Sequence, residues 1–116
     1  MLPIEQPQKK QKAEEPPLPT IIAADFDGTL CFNRWPQIGK AEQPVIDFLI
    51  AQQQKGCKLI LWTMREGNLL AEAVEWCRSH GLIFDAVNDN LPEVQKRFGN
   101  NPRKVFANYY LDDHNI

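Results

Sequence analysis

The stretch TIIAADFDGTL, residues 20–30, joins a short apolar run to an acidic motif. Four apolar residues at 21–24 are followed at once by Asp25, Asp27 and Gly28. A short apolar run bounded by turn-forming residues is typical of a buried strand in a parallel sheet. In such sheets functional groups gather at the carboxyl ends of the strands. The stretch therefore predicts a buried strand with a functional site that begins at Asp25.

Apolar runs and helical patterns alternate along the rest of the chain. Further apolar runs lie at 59–62, 83–87 and 105–111. Helical patterns lie between them, beginning at Pro44, near Asn68 and at Pro92, and ending at Gly56, Gly81 and Gly99. Proline favours a first helical turn, and glycine favours the residue after a helix. This alternation predicts a three-layer, Rossmann-like α/β domain with a parallel sheet and no large cap domain.

The chain divides into an arm and one domain. Residues 1–20 are rich in Pro, Gln, Lys and Glu, a composition that cannot bury enough apolar surface to offset its ordering entropy. They are predicted to form a disordered arm, and residues 21–116 the folded domain. The segment 29–44 is expected to form a flap beside the site, where Trp35 either meets substrate or packs on the sheet edge. Trp62 and Trp76 are expected in the core.

Composition argues against several classes of partner, although it does not exclude nucleic acid. Thirteen basic and fifteen acidic residues give a net charge of −2, which favours no polyanionic partner such as nucleic acid. No apolar run approaches the roughly 20 residues of a membrane span, and the N-terminus lacks the apolar centre of a signal peptide. The three cysteines have no CxxC spacing, which fits a reducing compartment. A cytoplasmic protein without a disulfide framework is therefore expected.

Each apolar run except the third ends or begins with a group suited to phosphoryl chemistry. Thr63 follows the second run, Lys104 precedes the fourth, and Asp112 and Asp113 close it. A carboxylate nucleophile divides phosphate-ester hydrolysis into two easier steps through an aspartyl-phosphate. Mg²⁺ cancels the repulsion between Asp25 and a phosphate dianion, with Asp112 or Asp113 as a further ligand. Lys104 and Thr63 are suited to hold the phosphoryl oxygens.

Asp27 and Arg65, which lie near the motifs, are two further candidate site residues. On an extended backbone, residues two apart project to the same side, so Asp27 is expected near Asp25. There it can serve as general acid for the leaving group and as base for water. For Arg65, two interpretations stay open: it pairs a second anionic group of the substrate, or it forms a surface salt bridge.

The order of these motifs is similar to that of a known enzyme superfamily. DFDGTL at 25–30, the run ending in Thr63, Lys104, and YYLDD at 109–113 resemble the four-motif pattern of the haloacid dehalogenase superfamily. The runs LILWTMREG at 59–67 and FDAVNDNLPE at 84–93 resemble its small, capless bacterial and phage members. The resemblance extends over residues 21–113.

This resemblance implies a role for each matched residue. Asp25 is the implied nucleophile and metal ligand, and Asp27 the implied acid/base whose carbonyl also binds Mg²⁺. Thr63 and Lys104 are the implied phosphoryl binders. Asp112 is the implied second metal ligand, and Asp113 an alternate ligand.

The expected activity is therefore Mg²⁺-dependent hydrolysis of a phosphate monoester. The substrate is expected to be a phosphorylated small molecule or an exposed phosphate on a larger molecule. A second subunit of a homo-oligomer covering the capless site is a further possibility. Two alternatives stay open: a phospho-accepting, receiver-like switch, and a binding module that keeps the motifs without complete catalysis.

Overall fold

The computed structural model describes residues 17–99 and 105–112. Its strands are β1 (Ile21–Ala24), β2 (Cys31–Arg34), β3 (Gln37–Ala41), β4 (Lys58–Leu61), β5 (Ala86–Val87) and β6 (Tyr109–Leu111). Its helices are α1 (Gln43–Gln54), α2 (Gly67–Ser79) and α3 (Pro92–Phe98).

Four strands form one parallel sheet in the order β5-β4-β1-β6. β1 lies inside the sheet, where Ile22 is opposite Leu59 on one side and Tyr109 on the other. Because all four strands run the same way, their carboxyl ends meet at one edge. The predicted parallel α/β sheet is confirmed.

Apolar clusters on both faces of the sheet make three layers. Residues of β1 and β4 pack on one face against α1 and α2: Ile22, Ala24, Leu59, Leu61, Ile46, Leu49, Ala73 and Cys77. On the other face they pack against α3 and the segment before β6: Ile21, Ala23, Ile60, Leu91, Val94 and Val105. Burial on both faces explains why these strands are continuous apolar runs instead of alternating ones. No cap domain is present among the described residues.

The helices match the sequence pattern more closely than the outer strands do. α3 begins at Pro92 and is closed by left-handed Gly99, whose N–H donates to Gln95 O at 2.9 Å, as predicted. Asn68 is not the N-cap of α2, since the helix already begins at Gly67. The third and fourth apolar runs form strands of only two and three residues. Ile83, predicted in the third strand, is exposed instead.

The last residues of the predicted arm are part of the fold. Leu18 packs against the cluster on the α3 face, and Lys58 N–H donates to Thr20 O at 2.9 Å. This bond extends the β1–β4 ladder by one residue, so residues before position 21 contribute to the sheet. Residues 1–16, which carry most of the predicted arm, lie outside the described residues.

The segment 29–44 contains an antiparallel hairpin, β2–β3, with a bulge between Cys31 and Asn33. Trp35 at its tip is 60% exposed, so it does not pack on the sheet edge. Trp76 packs against the α1/α2 cluster and meets Phe26 edge-on at 5.4 Å between ring centroids. The expectation that Trp62 is a core residue is wrong, because 40% of it is exposed.

The cysteines are free thiols, two of them buried. Burial raises the pKa of Cys31, and it raises that of Cys77 to about 12. Both therefore stay protonated and unreactive at neutral pH. Among the helices that the structure describes, none is long and apolar enough to cross a membrane.

Gly39 allows the two hairpin strands to approach, and its replacement tests that contact. A Cβ at position 39 would lie 2.1 Å from Phe32 O, so one strand must move. We expect Gly39→Ala to lower the free energy of unfolding by about 1–3 kcal/mol in denaturant titration. Lys40→Ala, at an exposed position of the same strand, is the control and should change it little. Equal stability of the two variants would contradict the close approach.

Candidate functional site

A cavity of about 370 Å³ opens at the carboxyl edge of the sheet. Asp25 follows β1, Thr63 lies two residues past β4, and Asp112 follows β6; all three line this cavity. The strands that carry them are neighbours in the sheet although they are far apart along the chain. The structure thus brings together three residues that the sequence predicts for one site.

Backbone hydrogen bonds fix the orientation of Asp25. Its N–H donates to Leu111 O at 2.9 Å, which continues the β1–β6 ladder past the strand end. Its Oδ1 accepts the Phe26 N–H at 2.7 Å. The first bond fixes the backbone of Asp25 at the sheet edge, and the second holds one carboxylate oxygen against the next residue.

Thr63 is held by two hydrogen bonds that use its acceptor oxygen and its backbone donor. Its Oγ1 accepts the Arg65 N–H at 3.2 Å, and its N–H donates to Asn88 Oδ1 at 2.7 Å. A hydroxyl has one proton to donate in addition to its acceptor lone pairs. The Thr63 hydroxyl proton thus remains available for an acceptor in the cavity.

Asn88 is a site residue that the sequence reasoning missed. It follows β5, the strand expected to contribute no suitable group, and it lines the cavity. Its φ of 52° is left-handed, and its N–H donates to Leu61 O at 2.7 Å. Because Oδ1 faces the Thr63 N–H, the Asn88 Nδ2 group is directed elsewhere as a donor. Asparagine tolerates left-handed backbone better than most residues, and that preference was the available signal.

Asp27 and Arg65 form a bidentate ion pair. Arg65 Nε donates to Asp27 Oδ2 and Nη2 to Oδ1, both at 2.8 Å. The Arg65 side chain is fully buried and that of Asp27 is 16% exposed. The hydrogen bond to Asp27 raises the pKa of Arg65 above its ordinary value. Asp27 is not among the described residues that line the cavity with Asp25.

Arg65 also binds the hairpin. Its Nη1 donates to Pro36 O at 3.2 Å and its Nη2 to Gln37 O at 3.1 Å. The guanidinium carbon lies 5.0 Å from the centroid of the Phe26 ring, a cation–π contact. The interpretation as a surface salt bridge is wrong, because the side chain is buried. These contacts use four of its five N–H groups, so to pair a substrate anion, the other interpretation, Arg65 would have to use the remaining Nη1 hydrogen or give up a partner.

The remaining predictions concern Lys104, Asp113 and the binding of a metal ion. Lys104 and Asp113 lie outside the described residues, so their predicted roles stay predictions. Within residues 17–99 and 105–112, no group of three or more His, Cys, Asp or Glu side chains is arranged to hold a metal. Asp25 and Asp112 nevertheless supply two carboxylates to the cavity. Mg²⁺ is commonly held by one or two carboxylates, waters and substrate phosphate, so this all-oxygen donor set fits it.

Fold and site together define a three-layer α/β protein with an acidic cavity at the carboxyl edge of its parallel sheet. A solved structure, described as that of a conserved protein coded by a locus of Bacteroides thetaiotaomicron, is 43% identical in sequence with a TM-score of 0.74. The match covers 85% of this chain and 79% of that one, and the chain belongs to the same family as that protein. That description assigns no activity. No protein-family model and no curated protein matches the chain.

Removing Arg65 tests whether its pair with Asp27 holds the fold together. We expect Arg65→Ala to lower the free energy of unfolding by about 3–5 kcal/mol, because it leaves a partly buried carboxylate and two carbonyl oxygens without their partner. Arg78→Ala is the control, since Arg78 pairs with Glu75 on the surface at 3.8 Å and should contribute little. Chemical denaturation measures both. A loss below 1 kcal/mol for Arg65→Ala would contradict a structural role.

Asn88 is tested by separating its backbone conformation from its hydrogen bond. Asn88→Gly removes only the acceptor for Thr63 N–H, and should cost about 1–2 kcal/mol of stability. Asn88→Ala adds left-handed strain and should cost about 1 kcal/mol more. Asn68→Ala, at an exposed position in α2, serves as the control. Thermal and denaturant unfolding give the order, and an alanine variant as stable as the glycine variant would refute the strain.

Proposed function

We propose that this protein hydrolyses phosphate monoesters through an aspartyl-phosphate on Asp25, with Mg²⁺ as cofactor. One observation carries the proposal: Asp25, Thr63 and Asp112, from three strands, line one cavity at the carboxyl edge of the sheet. A nucleophile, a hydroxyl donor and a second carboxylate are the groups that phosphoryl transfer to aspartate needs. The resemblance of the motifs to the haloacid dehalogenase superfamily agrees with this proposal.

In the first step a carboxylate oxygen of Asp25 attacks phosphorus, and the bond from phosphorus to the leaving-group oxygen breaks. The Phe26 N–H on Asp25 Oδ1 keeps the carboxylate oriented towards the cavity. The Thr63 hydroxyl donates to a phosphoryl oxygen, which carries more negative charge in the transition state. Lys104 is proposed to neutralise another phosphoryl oxygen. For this step Asp27 must carry a proton, which it gives to the departing alkoxide and regains from water in the second step.

In the second step water attacks the phosphorus of the aspartyl-phosphate, Asp27 takes a proton from that water, and phosphate leaves with Asp25 restored. Each Asp27 oxygen accepts one hydrogen bond from Arg65 and has another lone pair that can accept a proton. The pair thus fixes the position of the base without consuming its capacity. Arg65 is accordingly proposed as a positioning residue for Asp27.

The donor set of the cavity supports the metal part of the proposal. Asp25 and Asp112 would hold Mg²⁺, with Asp113 and the Asp27 carbonyl as proposed further ligands. When bound, Mg²⁺ supplies the positive charge that allows an anionic carboxylate to approach an anionic phosphate. Asp25 and Asp112 are two acidic side chains in one cavity, a setting that would favour a bound cation.

The second candidate is a phospho-accepting switch, in which Asp25 is phosphorylated but the phosphoryl group is not rapidly lost. The observation that favours it is the bidentate contact of Arg65 with both Asp27 oxygens, which restricts the movement of a general acid. Steady turnover supports the hydrolase, and a single round of labelling without turnover supports the switch.

Removing divalent metal tests the cofactor. Hydrolysis of an aryl phosphate should be lost in chelator and restored by Mg²⁺, because the carboxylates of Asp25 and Asp112 repel a phosphate dianion. Ca²⁺ should restore it poorly, since Ca²⁺ prefers more ligands and a looser geometry. Release of the aryl alcohol measures the rate. Full activity in chelator would contradict the proposal.

The different roles of Asp25 and Asp27 predict different variants. Asp25→Asn removes the nucleophile, so neither phospho-enzyme nor turnover should be detected. Asp27→Asn retains the nucleophile but lacks the base for water, so hydrolysis of the phospho-enzyme should slow by about 10²–10⁴-fold. With an aryl phosphate, whose leaving group needs little proton assistance, the phospho-enzyme should accumulate.

Intact-mass spectrometry after acid quench measures the adduct, and peptide mapping should place it on Asp25. Asp47→Asn, at an exposed position in α1, is the control and should behave as the unaltered protein does. An adduct on Asp112, or equally mild effects of the Asp25 and Asp27 variants, would overturn the mechanism.

A further inference from the structure

We infer that the cavity selects phosphate monoesters whose leaving group carries a flat aromatic ring, with Trp62 as the surface on which that ring stacks. The inference rests on the proposed function, because it names the substrate class of the same site. The chemistry is shared by aryl phosphates and nucleoside monophosphates, which the experiment separates.

The register of the sheet places Trp62 beside the proposed nucleophile. Ala24 is opposite Leu61 in the β1–β4 pair, and Trp62 N–H donates to Ala24 O at 2.9 Å. One position further along, Trp62 is therefore opposite Asp25. Opposed residues of a parallel pair project from the same face, so both side chains belong to the face that α3 covers. Both line the cavity.

The exposure of Trp62 needs an explanation that the fold does not give. It follows three buried residues of β4, yet 40% of it is exposed, and neighbouring Met64 is 95% exposed. Tyr110, whose hydroxyl donates to Val105 O, lies across the cavity with 36% exposed. Exposed apolar groups that line one concave site are typical of a ligand-binding surface. Tryptophan and methionine are also the side chains best suited to contact flat rings of varied shape.

The volume and chemistry of the walls indicate what fills the cavity. About 370 Å³ lies within the range of small-molecule sites and exceeds what a phosphate group occupies. The polar side chains of the lining are Asp25, Thr63, Asn88 and Asp112, and the apolar ones include Ala23, Trp62, Met64 and Leu111. An acyclic polyol leaving group has no flat ring to place against the Trp62 indole, so it would gain less from these apolar walls.

The described lining of the cavity favours a ligand with one phosphate. No described residue that lines the cavity is basic, so a second phosphate group would find no cationic partner among them. A nucleic-acid strand, which needs a basic track along its backbone, is disfavoured for the same reason. A single phosphate joined to an aromatic group therefore suits the mixed polar and apolar lining of the cavity.

Binding of non-hydrolysable phosphonates to the full chain in Mg²⁺ buffer tests the inference without requiring turnover. Naphthylmethylphosphonate should bind about 10- to 100-fold more tightly than an acyclic, hydroxylated phosphonate of similar size, by titration calorimetry. Trp62→Ala should abolish that preference. Trp35→Ala is the matched control, because Trp35 is also exposed but does not line the cavity. Met64→Ala should weaken the preference for the aromatic ligand. Because Met64 is largely exposed, this variant should fold, and it replaces Trp62→Ala as the test if Trp62→Ala does not fold.

An adenosine 5′-phosphonate in the same titration distinguishes a nucleoside source from a simple aryl source. Tighter binding of either aromatic ligand than of the acyclic one supports the inference. Equal affinity for ring and acyclic ligands overturns it, as does a preference that survives both Trp62→Ala and Met64→Ala. If the ring preference holds but no phosphate ester is hydrolysed, the proposed function fails and the aromatic site remains. If phosphate esters are hydrolysed but no ring preference is found, the proposed function stands and the aromatic site is refuted.

Discussion

Pairing of β1 with β4 on one side and β6 on the other is the interaction on which the other parts of the molecule depend. All four residues of β1 are buried, and two of them, Ala23 and Ala24, are small enough to let helices approach both faces. The ladder continues past the strand through the Asp25 N–H and the Trp62 N–H. The same hydrogen bonds that hold the sheet therefore set the spacing of the cavity walls.

A second constraint is the ion pair between Asp27 and Arg65, which joins three segments that are separate in sequence. It connects the turn after β1, the loop after β4 and the tip of the β2–β3 hairpin. A guanidinium has five N–H donors in a fixed plane, which allows one buried side chain to bind a carboxylate and two carbonyls together. Stability of the hairpin and placement of Asp27 are thus coupled through one residue.

Much of this fold follows from local sequence pattern. The two central strands, the three helices and the site edge were predicted, because continuous apolar runs and helix-ending glycines are local signals. Burial of Arg65 and exposure of Trp62 were not predicted, since both depend on what lies across the sheet. Asn88 was not predicted as a site residue, because its hydrogen bond to the Thr63 N–H is a tertiary contact that no local sequence motif indicates. The shortness of β5 reflects tertiary contact as well. Asp85 donates its N–H to Leu59 O at 2.8 Å, but the Leu59 N–H donates to the Asp85 carboxylate at 2.8 Å instead of to a strand carbonyl.

The lengths of the outer strands have a consequence for self-association. The described sheet ends at β5 on one side and β6 on the other, with two and three residues respectively. An edge strand offers its unpaired N–H and C=O groups as a template for a strand of another molecule, and the attraction grows with the number of groups in line. Such short edges give an incoming strand few hydrogen bonds. The apolar β1 and β4, which would aggregate readily if they lay at an edge, are shielded at the centre of the sheet.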